Sequence, residues 1–353
     1  MSSENSVSES LSDTERGLLR RSVREFLAAR WPAKGAVERS GDSKAVATVW
    51  RGLAGQGLAA LGSGSEAGVS EIVLVFEEFG RASCPAPMLG AVGVNLALGA
   101  QPPNAVRALV EDIHQGKAAV ALALGSFDGD ASAGRAEMRD DTLSGKLCFV
   151  EGAQGATHFA VFIDDGIAVV ESGAPGVTIE ATPGLAVPAL SEIAFQNTPA
   201  IRVPVPHETL ADVALMVRLV CAGRALGAAQ RSFEMAVDHA KIRKQFGQFQ
   251  AIQHKLANCL ISLDGSQMAI ETAAAARDGG NPDWQTFASS AIAFSGPALR
   301  NVSIESHRAL GAIGYAEEHE APRHFRRVHA DLARFGGVQR ARAELADFLL
   351  GPA

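Results

Sequence analysis

From residue 207 to the C-terminus, apolar residues return every three or four positions in long runs at 209–240, 249–278, 283–311 and about 330–350. A sheet cannot use that period, because strand side chains alternate every second residue. Runs of this length joined by short links predict four helices packed antiparallel as a bundle. Whatever precedes residue 207 must therefore dock onto a helical block.

The preceding stretch differs in kind. Between 117 and 206 the chain carries short apolar runs, "AAVALAL", "KLCFVEG", "THFAVFID" and "GIAVVES". Turn-rich pieces such as "DDTLSG" and "ESGAPG" separate them, the pattern of consecutive strands in a β-sandwich or barrel-like unit. Before residue 117 the text is helical again. Ser12 and Glu15 form a capping box, Leu18, Leu19, Val23, Phe26, Leu27 and Trp31 recur on one face, and Pro32 ends the helix. Further helical patterns cover 44–57, 70–80 and, interrupted by Gly and Pro, 87–115. The expected fold class is α+β: a helical part over 1–116, a β part over 117–206 and a helical bundle over 207–353. The first ten or so residues, polar and acidic, are expected to be disordered.

Bulk chemistry narrows the partners. A net charge of −7 leaves no broad cationic groove for nucleic acid. Cys84, Cys148, Cys221 and Cys259 stand apart, without metal-ligand spacing, and read as reduced thiols of a cytoplasmic protein. No signal peptide is expected, and no apolar run is long enough for a membrane span.

One link is chemically unusual. "KIRKQFGQFQ" (241–250) joins two helical runs with Arg243, Phe246 and Gln250 where Gly, Asn or Pro would be more ordinary. Read alone, Arg243 could form a surface ion pair and Phe246 could fill the bundle core. In context the link belongs to a series: "VWRGLAGQGLAAL" (49–61), "EEFGRA" (77–82), "RKQFGQFQAIQHKLA" (243–257), and "LGAIGY" (310–315) with Arg326 downstream. In this order the series resembles the acyl-CoA dehydrogenase family through nearly the whole chain. The resemblance implies an acyl-CoA dehydrogenase-like fold and an FAD lying at a subunit interface. It also implies that Arg243, Phe246 and Gln250, with Arg308 and Gly311, contact the ADP half of a flavin held by a neighbouring subunit. A planar guanidinium suits a pyrophosphate, and an aromatic face suits ribose and adenine.

The same resemblance exposes losses. The family removes the substrate's α-proton with a glutamate at one of two positions, which here are Val217 and Phe335. Neither side chain can take a proton. The β-region signatures also depart, with "LALGSFDGD" (122–130) and "KLCFVEG" (146–152). There Cys148 replaces tryptophan, and Val150 stands where a hydroxyl would meet the flavin. The link itself is shorter than usual. Features facing the chain's own flavin and substrate are lost, while those cradling a neighbour's ADP remain.

The resemblance therefore implies a non-catalytic subunit of a heterotetramer of two catalytic and two non-catalytic chains. Acyl-CoA, of a bulky steroid-derived kind, would be bound mainly by the homologous catalytic partner, and electron-transfer flavoprotein would be the electron acceptor. A self-sufficient flavoenzyme with a relocated base such as Asp331, or a scaffold without flavin chemistry, would share this fold. His319, His324 and His329, five apart, fall on different helix faces and do not suggest a metal. Asp128 and Asp130 read as turn residues, and Gly336 and Gln339 as remnants of the element that would carry the base.

Overall fold

The computed structural model describes residues 11–64, 67–184, 186, 189–243 and 247–351. The N-terminal ten residues and Phe246, both subjects of expectations above, lie outside the described residues.

Among the described residues six α-helices come first: α1 (Asp13–Arg30), α2 (Ala36–Ser40), α3 (Ser43–Ala54), α4 (Val69–Ala82), α5 (Met88–Leu98) and α6 (Asn104–His114). The capping box of α1 forms in both directions: Glu15 donates its backbone N–H to the Ser12 hydroxyl, and the Glu15 carboxylate accepts from the Ser12 amide at 2.8 Å. Among the described residues eight strands follow: β1 (Val120–Ala123), β2 (Gly134–Arg139), β3 (Thr142–Glu151), β4 (His158–Ile163), β5 (Gly166–Glu171), β6 (Val177–Ala181), β7 (Leu190–Pro199) and β8 (Ile201–Pro204). The "DDTLSG" turn is tighter than its composition suggested, because β3 already begins at Thr142 and Asp140 takes a left-handed φ of 51°.

Two four-stranded sheets, ordered β1-β4-β5-β8 and β2-β3-β7-β6, pack face to face. Pairing is antiparallel except between β1 and β4. Strand periodicity explains the layering. Along β4, Phe159, Val161 and Ile163 enter the core between the sheets, while Ala160 and Phe162 turn to the helices. That is why β4 reads as an unbroken apolar run: both its faces are covered.

The final helices are α7 (His207–Ile242), α8 (Gln250–Asp278), α9 (Trp284–Leu310), α10 (Ala321–Ala333) and α11 (Gly337–Leu350). The run at 330–350 is thus not one helix. Phe335, Gly336 and Gly337 all take positive φ and break it. Helix α7 passes through the middle of the molecule and touches α4 backbone to backbone. A Cβ at Gly80 would lie 1.8 Å from the Arg224 carbonyl oxygen, and one at Gly227 would lie 1.8 Å from that of Glu77. One apolar core joins α1, α3 to α9 and the helix-facing side of the first sheet.

Candidate functional site at the junction of sandwich and bundle

Where β3 ends against α7 and α10, the chain buries five charged side chains together. Arg224, in the middle of α7, donates from Nε and Nη2 to the Asp331 carboxylate at 2.9 and 2.7 Å. It also donates from Nη1 and Nη2 to Glu151 at 3.0 and 2.7 Å. Arg327 reaches Glu151 at 3.2 Å and Asp331 at 3.5 Å, and Arg334 reaches Glu151 at 2.6 Å. Burial alone would push the Glu151 carboxyl up, but Arg224, Arg327 and Arg334 hold it well below its ordinary range. Sequence reading missed this cluster. Glu151 lies 73 residues from Arg224 and 183 from Arg334 in the chain, and the visible signal was an arginine inside the apolar text "CAGRALG".

The two positions where a proton acceptor was expected hold hydrocarbon. Val217 is fully buried within α7, and its neighbour Arg218 donates to Glu344 at 2.7 and 2.9 Å. Phe335 sits in the break between α10 and α11 with a φ of 58°. The relocated-base reading of Asp331 meets a direct obstacle: both carboxylate oxygens accept from Arg224 in a buried network.

Phe335 lines a cleft of about 560 Å³ between the sandwich and the bundle, which a second aromatic, Phe149, also lines. The register of β3 against β7 shifts between Leu147 and Val150. This bulge gives Phe149 a φ of 61° and leaves its ring part-exposed, while Val150 turns into the core between the sheets. The expectation at Val150 is corrected accordingly, since Phe149 is the residue that meets the cleft. A left-handed aromatic costs roughly 1–2 kcal/mol relative to ordinary backbone, and two of them border this one cleft. Asp128 lies on the same wall, where burial pushes its carboxyl up to about 6 against the opposing pull of Arg334. Asp130 behaves as a turn residue, its carboxylate accepting from the Ser132 amide and hydroxyl at 2.8 and 2.7 Å.

The three histidines occupy three separate environments. His319 accepts from the Ala321 amide, His324 meets the Ser83 hydroxyl at 3.0 Å, and His329 meets the Ser303 hydroxyl at 3.2 Å.

The residues expected to meet a nucleotide tail stand at the other end of α7. Arg243 caps that helix and is exposed, Gln250 opens α8 and is exposed, and Phe249 between them shows 58% of its surface. Among the described residues no carboxylate pairs with Arg243, so a solvent-facing guanidinium, an amide and a ring stand close along the chain. That donor set fits a pyrophosphate and a ribose. Arg308 lies on the surface paired with Glu305, and Gly311 ends α9 with a φ of 64°. Arg326 pairs with Glu317. Gly336 caps the N-terminus of α11, which carries Gln339.

Comparison with known proteins agrees with this architecture. Residues 211–349 match the family model for the acyl-CoA dehydrogenase C-terminal domain. The acyl-CoA dehydrogenase IpdE2 of Mycobacterium tuberculosis is 28% identical over 331 residues, covering 89% of this chain and 91% of that protein. The Tcur3481–Tcur3483 steroid ACAD superposes with a TM-score of 0.84 at 24% identity, covering 96% of this chain and 98% of that one. A chain of the ChsE4–ChsE5 complex from Mycobacterium tuberculosis superposes with a TM-score of 0.83 at 18% identity, covering 97% and 99%. Motif order, layered fold and these likenesses converge: residues 211–349 match the acyl-CoA dehydrogenase C-terminal domain, and the chain as a whole is similar to an acyl-CoA dehydrogenase in sequence and to a steroid ACAD in fold.

Proposed function

We propose that this chain is the non-catalytic subunit of a hetero-oligomeric, FAD-dependent acyl-CoA dehydrogenase. One observation carries the reading: the two positions for the base hold Val217 and Phe335, and the carboxylates of Glu151 and Asp331 at the junction are held by arginines. Proton abstraction needs a carboxylate that can reach substrate and accept a proton at neutral pH. Glu151, depressed and enclosed, is the opposite of such a group.

The chain's contribution lies at the end of α7. Arg243 and Gln250 would bind and orient the nucleotide tail of a flavin seated in the homologous partner. FAD, when bound there, supplies the hydride acceptor for making the α,β double bond. An apolar strip supports a large subunit interface: Ile261 and Met268 on α8 are 69% and 68% exposed, and Phe287 and Phe294 on α9 are also exposed. We extend the substrate to a bulky, steroid-derived acyl-CoA because two similar structures are named for a steroid ACAD and for a complex of two different chains. Electron-transfer flavoprotein is the matching acceptor, and the cytoplasm the matching compartment. None of the described helices is long and apolar enough to cross a membrane.

The test is co-expression with a homologous chain that carries the glutamate. The expected complex holds FAD and oxidises acyl-CoA, Arg243→Ala lowers its flavin content at least about tenfold, and this chain alone is colourless and inactive. A yellow, active homo-oligomer of this chain would sink the proposal.

A further inference from the structure

The cleft between sandwich and bundle has features that the absence of a base does not account for. Two bulky residues with left-handed backbone, Phe149 and Phe335, stand on its walls. Such outliers persist where the surrounding structure enforces them, and they concentrate at ligand clamps. Beneath Phe335 lies Arg334, whose guanidinium carbon is 4.4 Å from the centroid of that ring. The Arg334 side chain is only 5% exposed and spends Nη1 on Glu151, while Nε and Nη2 are buried without an acceptor. Buried donors of a cation are rarely left unsatisfied, and the imbalance favours an anion. Arg300, a second cleft residue, donates Nη2 to the Leu332 carbonyl at 2.8 Å and so has its guanidinium held at the same helix end. The remaining lining is mostly hydrocarbon, with Asp128, buried, and Asp130, exposed, as the opposing carboxylates.

We propose that this cleft binds an organic carboxylate with an apolar body, its carboxylate pairing with Arg334 and Arg300 when the Phe335 ring turns aside. The ring that stands where a base was expected then serves as a cover over an anion-binding guanidinium. The apolar part of the ligand packs against Phe149. Binding is non-covalent and no bond is made or broken.

This inference goes beyond the subunit assignment and fails separately from it. A chain that binds the carboxylate but never captures a homologous partner keeps this reading and loses the other.

The experiment uses the full chain and a matched pair of fluorescent probes, 2-naphthoate and its neutral amide. Naphthoate is expected to bind once per chain and the amide at least about tenfold more weakly. Arg300→Met should weaken naphthoate about tenfold, whereas Phe335→Ala, by uncovering Arg334, should tighten it several-fold (about threefold or more). Arg334→Gln should abolish the preference for acid over amide. Because that variant also breaks an ion pair and could unfold the chain, Arg300→Met and Phe335→Ala carry the test, with far-ultraviolet circular dichroism confirming their fold. Equal affinity for acid and amide, no binding of naphthoate, or a Phe335→Ala variant no tighter than wild type each overturns the proposal.

Discussion

Glu151 at the end of β3 and Arg224 in the middle of α7 meet through two hydrogen bonds, of 3.0 and 2.7 Å, inside the protein. This contact bolts the sandwich to the bundle, and Glu151 also accepts from Arg334, which lines the cleft. A bidentate guanidinium–carboxylate pair tolerates little displacement, so it fixes the angle between the layers as well as their distance.

Replacing Glu151 with Ala removes the acceptor shared by Arg224, Arg327 and Arg334 and leaves their charge buried. Breaking a buried pair from one side costs about 3–5 kcal/mol. Chemical denaturation should show that loss, and a variant within about 1 kcal/mol of wild type would show that the network is not a bolt.

Acid sensitivity should track His324. Burial lowers its pKa from 6.5 to about 4, while Glu320, 3.7 Å away, pulls in the opposite direction and the Arg323 and Arg231 charges reinforce burial. A group protonated less readily in the folded than in the unfolded chain contributes its stability above the unfolded pKa. That contribution is lost as pH falls from about 6.5 toward 4, by about 3 kcal/mol in all. His324→Gln should flatten the slope of unfolding free energy against pH in that window, and an unchanged slope would assign the acid sensitivity elsewhere.

Gly80 tests the closeness of α4 and α7. Its Ala variant forces a methyl group to 1.8 Å from the Arg224 carbonyl oxygen and should cost about 3 kcal/mol. Gly17 in α1 is the control, since a Cβ there meets nothing within 4 Å. Gly17→Ala should stabilise the chain by about 0.5–1 kcal/mol through helix propensity. If both variants melt alike, the two helices are not in backbone contact.

Thiol chemistry offers an independent check of burial. Burial pushes Cys84 and Cys221 up to about 12 and Cys259 up to about 11, and only Cys148 is part-exposed. Ellman's reagent should therefore label at most one of the four cysteines in the native protein and all four in denaturant. Rapid labelling of two or more native thiols would contradict the packing around α4, α7 and α8.

Local text determined a great deal here. The capping box at Ser12, the helical periods of α1, α4 and α7, and the doubly apolar β4 were readable because each depends on neighbours within a few residues. That the two positions expected to carry the base hold Val217 and Phe335 was equally readable, since neither side chain takes a proton in any fold. The break after Arg334 was not, because a phenylalanine gives no local warning of left-handed backbone, and the two glycines beside it were compatible with a helix start. Nor was the bulge that exchanges Val150 for Phe149 at the cleft, because register belongs to a pair of strands and is invisible in either one. The network of Glu151, Arg224, Arg327, Asp331 and Arg334 is the plainest case. Composition determined that these charges exist; only the docking of sandwich on bundle, which removed water and left each charge its counter-charge as the remaining solvation, decided that they would meet.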